Sequence, residues 1–171
     1  MKKLSYILLL IASVIMTGCA TATQAYRVMD PHHIHRENLS KTEPFYSPKY
    51  KLPYAKTEGV DYSNKQWGET IDVQYGEYSN CVKTKLKKDP RPKELQKVKI
   101  IIVKDSKFKC KYHGGRCSGE YDSSLQTIFV SRKDFDKEGL VPLLKHEWSH
   151  VNGILNTGHS NLDIVRKCTK Y

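Results

Sequence analysis

The chain has 171 residues, enough for one domain with modest extensions, of which 39% are hydrophobic and 27% charged. That balance excludes a polytopic membrane protein, a collagen-like repeat and a long coiled coil. Lys and Arg number 29 against 18 Asp and Glu, and the formal charge of +11 surrounds the protein with a positive field.

Met1-Lys2-Lys3 is a short basic start, and the apolar stretch Leu4 to Met16 has signal-peptide length. It falls short of the roughly 18 apolar residues that span a bilayer as a helix. It runs into Met16-Thr17-Gly18-Cys19, which resembles the lipobox of bacterial lipoproteins. The resemblance implies that residues 1–18 are removed and that Cys19 becomes an acylated, palmitate-bearing N-terminus that anchors the protein in the cell envelope. Ala20 follows, where an Asp would imply inner-membrane retention, so the resemblance points to the outer membrane, with the facing left open. An ordinary signal peptide followed by a chance Cys is the alternative. Loss of Lys2 and Lys3 leaves a mature charge of +9.

Residues 19–66 read as a tether, with Pro31, Pro44, Pro48 and Pro53, many polar residues and no sustained period. His32, His33 and His35 cluster in it, either as solvated side chains or as a metal-scavenging tract. The folded domain is expected over 67–171. Tyr75, Tyr78, Val82 and Leu86 lie on one face of a helix predicted from Ile71 to Leu86, and Lys87-Lys88-Asp89-Pro90-Arg91-Pro92 ends it. Val98 to Val103 is a β-branched buried strand and Leu125 to Val130 a second one. Asp134 or Asp136 caps the next helix, Pro142 suits its first turn, and the helix runs from about Leu140 to Gly153. A last helical stretch covers Asn161 to Cys168. These elements predict an α+β domain with a short mixed sheet packed on the helix that starts near Leu140.

Four cysteines remain besides Cys19, an even number that in an exported chain implies two disulfides with three possible connectivities. Cys110 and Cys117 bracket Lys-Tyr-His-Gly-Gly-Arg, a natural tight loop, which favours 110–117 and by subtraction 81–168. The second bridge would tie a helix to the C-terminal region. Neither pair has CxxC spacing, which argues against a zinc ribbon or a thioredoxin-type site.

His146-Glu147-Trp148-Ser149-His150 is HExxH on a predicted helix. Residues four apart share one helical face, so two imidazoles can bind a single Zn2+, one per chain. Glu147 then sits beside the metal without binding it, placed to take a proton from zinc-bound water. A helix with two surface histidines is the bland alternative. A catalytic zinc needs a third protein ligand.

The motif resembles that of zincin metallopeptidases, over about residues 98–165. Metzincins extend it to HExxHxxGxxH; Gly153 matches, but Asn156 stands where the third His belongs. Gluzincins use a downstream Glu, and none follows Glu147. His159 and Asp163 are the strong ligands left, with His159 preferred because Gly158 permits a reversing turn. Asp163 is the alternative third ligand, in the manner of aspzincins, or an orienting partner for an imidazole. The resemblance implies a zincin-like domain in which Thr127 to Ser131 is the edge strand that pairs with extended peptide. Tyr112, Tyr121, His113 and Tyr171 are alternatives for stabilising the oxyanion, and Trp148 packs in the core or at the cleft wall.

From Lys83 to Arg116, 13 Lys or Arg stand against Asp89, Glu94 and Asp105, which accounts for the whole surplus of the mature chain. Nucleic acid does not fit an exported chain without a base-stacking motif. An anionic envelope lipid or polysaccharide, or an acidic protein, fits better, with a merely solubilising face as the alternative. The expectation is thus a lipid-anchored zinc metalloendopeptidase acting on protein or cell-wall peptide through His146, His150, His159 and Glu147. Its rival is a non-catalytic envelope lipoprotein whose basic face binds a partner.

Overall fold

Ile100-Ile101-Ile102-Val103 offers apolar side chains to both faces of a strand, a pattern that requires cover on both sides. A computed structural model of the chain, which describes residues 32–112, 114–132, 143–156, 158–160 and 162–169, supplies that cover. In chain order the elements are α1 (Arg36–Ser40), β1 (Phe45–Tyr46), β2 (Pro53–Lys56), α2 (Asn64–Lys85), α3 (Pro92–Leu95), β3 (Lys99–Val103), β4 (Phe108–Lys109), β5 (Arg116–Cys117), β6 (Gly119–Asp122), β7 (Thr127–Ser131), α4 (Leu143–Val151) and α5 (Leu162–Thr169).

The fold is α+β, with a five-stranded mixed sheet in the order β1-β2-β3-β7-β6. β3 pairs in parallel with β2 (Tyr54 opposite Ile100) and with β7 (Ile100 opposite Ile128), while β1 and β6 run antiparallel at the two edges. Alternation then sorts the side chains. Ile100, Ile102, Ile128 and Val130 join Trp67, Ile71, Tyr75 and Tyr78 of α2 and Leu144 and Trp148 of α4 in the larger core. Ile101, Val103 and Phe129 point the other way, against Ile34, Ala55 and Phe108.

Three expectations need correction. The stretch 19–66 is no tether from Ile34 onward: Ile34 is 7% exposed, and β2 lies inside the sheet beside β3. Its prolines fit strand and turn positions; Pro53 opens β2, where no preceding ladder bond is lost. Residues 19–31 lie outside the described residues. The helix expected from Ile71 begins at Asn64, because the Ser63 hydroxyl accepts the Gln66 N–H at 3.2 Å while the Gln66 side chain accepts the Ser63 N–H at 2.8 Å. β7 is not the edge strand: it is sandwiched between β3 and β6, so β6 forms the edge.

Both expected bridges are present, Cys81 with Cys168 and Cys110 with Cys117, at Cα separations of 5.4 and 5.6 Å. The first ties α2 to α5, and the second closes the loop carrying β4 and β5. Asp134, Asp136 and Pro142 lie outside the described residues, so α4 is described from Leu143.

Candidate metal centre

Leu144 and Trp148, four residues apart, bury one stripe of α4 in the core, and Trp148 meets the rings of Tyr75 and Tyr78 at 5.5 and 5.7 Å. That anchoring turns His146, Glu147 and His150 the other way, into a cleft of about 510 Å3 that Tyr112, Tyr121, Leu155 and His159 also line. Lys145, itself buried, pairs with Glu77 of α2 and fixes the rotation of the helix.

Gly153 adopts φ +63 and ends α4, with its N–H on the His150 carbonyl at 3.0 Å and that of Ile154 on Ser149 at 2.9 Å. The left-handed residue turns the chain back toward the helix. His159 completes the return with φ +57, so the backbone freedom expected of Gly158 is exercised by the histidine itself. The Asn156 side chain holds this turn by accepting the Ser160 N–H at 3.0 Å.

The return delivers a third imidazole. Ring centroids of His146, His150 and His159 are 5.0, 5.1 and 4.9 Å apart, and one nitrogen from each lies within 4.8 Å of the other two. The Nε2 atoms of His146 and His159 are 3.1 Å apart. Tetrahedral zinc with Zn–N of 2.0–2.1 Å places its nitrogens about 3.3 Å apart, so this donor set fits zinc in kind and spacing. Burial first, then the neighbouring imidazoles, pushes His146 down to about 4; burial and His159 do the same to His150. Both are neutral at pH 7, the form that donates a lone pair. Asp163 is apart from them: its side chain is 94% exposed and pairs with Arg166 at 3.2 Å. Among the described residues, His159 and not Asp163 joins His146 and His150.

Glu147 is buried beside the edge strand. Burial, then the charge of Glu120, pushes its carboxyl up to about 8, while the Tyr121 N–H of β6 pulls it down. A Cβ on Gly119 of β6 would lie 2.9 Å from Glu147 Oε1 and 3.4 Å from a Leu143 methyl, so only glycine lets α4 approach this closely. Gly119→Ala is expected to cost about 1–3 kcal/mol in urea unfolding. In a Glu147→Ala background the cost should fall by half or more; an unchanged cost would place the strain elsewhere.

Glu120, Gly119 and Arg36 were not singled out from sequence. Glu120 and Arg36 form an ion pair at 2.6 Å with side chains 8% and 11% exposed. The same guanidinium lies over the rings of Phe108 and Phe129 and donates to the Lys109 carbonyl at 2.7 Å. Glu120 also accepts the N–H groups of Lys111 and Tyr112 at 2.9 and 3.3 Å, which fastens the disulfide-closed loop at the cleft. A two-residue alternation in Gly119–Asp122 was too short to show this strand as a separate element, and the pairing across 84 positions leaves no local signal. Of the oxyanion candidates, Tyr112 and Tyr121 line the cleft, whereas His113 and Tyr171 lie outside the described residues. His32, His33 and His35 are not part of the histidine cluster.

No family model, curated protein or solved structure matches the chain.

Proposed function

We propose that the protein is a zinc-dependent metalloendopeptidase of the cell envelope, anchored through lipid on Cys19. The observation that carries this reading is the convergence of the His146, His150 and His159 nitrogens within 4.8 Å beside a buried Glu147. These three imidazoles would hold one Zn2+ per chain. Zinc at such a site supplies Lewis acidity, polarising a carbonyl and lowering the pKa of water.

The chain's own residues do the rest. With a dication nearby, Glu147 would be a carboxylate at neutral pH, placed to take a proton from water and to return it to a leaving amine. Among the described residues β6 pairs only with β7, so an extended peptide could add along its outer edge, beside the point where the Tyr121 N–H is held by Glu147. That edge favours peptides over esters or sugars, and both proteins and cell-wall peptides meet the requirement. Tyr112 and Tyr121 would border the scissile bond from the loop and from β6.

Metal analysis tests the reading directly. The purified chain is expected to carry about one zinc, lost in His146→Ala and His159→Ala and kept in Asp163→Ala. Absence of zinc from the wild type after reconstitution would overturn it. Digests of purified peptidoglycan beside a protein substrate then separate the two substrate classes.

A further inference from the structure

The C-terminal end of a helix attracts cations, and one or two satisfy the partial charge there. The end of α2 carries many more. Between Lys83 and Lys97 seven basic residues stand against Asp89 and Glu94. Lys83 and Lys85 occupy the last turn of α2, and the 81–168 bridge brings Arg166 and Lys167 of α5 alongside. All of these side chains are exposed. Glu94 is taken by Lys97 at 3.2 Å and Asp163 by Arg166, and among the described residues no carboxylate pairs with Lys83, Lys85 or Lys88.

Backbone conformation marks the same place. Lys87, just past α2, has φ +53, and Arg91 has φ +45. Glycine is the usual residue at the Lys87 position after a helix, and Arg91, which caps the start of α3, takes the same left-handed conformation. The Lys88 N–H reaches back to the Val82 carbonyl at 3.2 Å, and Asn152, which follows α4, donates to the Pro90 carbonyl at 2.9 Å, so the loop is held from both sides.

We infer that this basic end is a docking surface for an anionic phospholipid bilayer. The chemistry of the patch selects that partner. Six of its seven basic residues between 83 and 97 are lysines, point charges on flexible stems, suited to a diffuse array of phosphates rather than bidentate recognition. No exposed large hydrophobic side chain lies in this stretch; those described are Phe45, Tyr46, Tyr62, Val73 and Tyr112. The patch therefore lacks the aromatic anchors of a protein interface and the stacking platform of a nucleic-acid site. Docking is electrostatic, without insertion, and weakens as salt rises. The metal site has no part in it.

The test uses the full chain, reconstituted into vesicles of phosphatidylcholine alone and into vesicles containing phosphatidylglycerol, with lysine acetylation read by mass spectrometry. Lysines 83–97 are expected to be acetylated about fivefold more slowly in the anionic vesicles, with protection abolished by high salt. Lys65, at the opposite end of α2 and 83% exposed, is the internal control and should react alike in both. In a variant with Lys83, Lys85, Lys87 and Lys88 all changed to Gln, Lys93 and Lys97 should lose their protection. Equal acetylation in both lipids, equal protection of Lys65, or protection by soluble polyglutamate but not by the anionic vesicles would overturn the inference.

Discussion

Glu147→Gln is expected to leave zinc bound and to slow peptide hydrolysis by about 10²- to 10⁴-fold, the usual contribution of a positioned general base. The metal-free protein gives an independent check. The folded-state pKa of Glu147, about 8, lies above its ordinary value of 4.5, so the folded chain holds a proton that the unfolded chain releases between those values. The contribution of Glu147 to stability is therefore lost as pH rises from about 4.5 to about 8, while His146 and His150, held neutral by burial, contribute in the opposite direction below about 6.5 and are common to both proteins. Glutamine has no proton to give up, so in chelator-treated protein Glu147→Gln should exceed wild type by on the order of 4 kcal/mol at pH 8 and by almost nothing at pH 4. Urea unfolding at the two pH values measures this. Identical stability at pH 8 would mean that the carboxylate finds a countercharge or solvent, and that the apolar contact with β6 is not what surrounds it.

The second large effect concerns the bridge between α2 and α5. Replacing Cys81 and Cys168 by serine is expected to lower stability by about 4–5 kcal/mol, the chain-entropy value for a closed loop of 87 residues. The same change at Cys110 and Cys117 closes only seven positions and should cost about 2 kcal/mol, with its main consequence at the cleft, where the loop carries Tyr112. Unfolding midpoints of the two double mutants decide the order. An equal loss would show that α5 is held by packing alone.

The parts legible in sequence were those with local signals. HExxH announced that His146, Glu147 and His150 share one side of a helix, because four-residue spacing on a helix is a local property. The β-branched runs announced β3 and β7, and the six-residue Cys loop announced its own bridge. What escaped was set by distance. β2 reads as a proline-broken stretch until β3, more than 40 residues later, pairs with it. The edge position passed to β6 because a strand's place in a sheet depends on partners, which periodicity does not name. The α2 start was readable in hindsight, since Ser63 and Gln66 have capping-box spacing ahead of Trp67. Asp163 remained a rival to His159 because sequence does not say which way a side chain points after a turn. The turn, with φ +63 at Gly153 and φ +57 at His159, brings the His159 ring to the other two imidazoles and leaves Asp163 exposed.

Arg36 also bears on mechanics. Its guanidinium ties α1 to Glu120 of β6 and to the Lys109 carbonyl. A pull on α1 would thus be felt at β6, one residue from Gly119 and Tyr121, whose backbone meets Glu147. Arg36 thereby couples the first helix of the domain to the rim of the cleft.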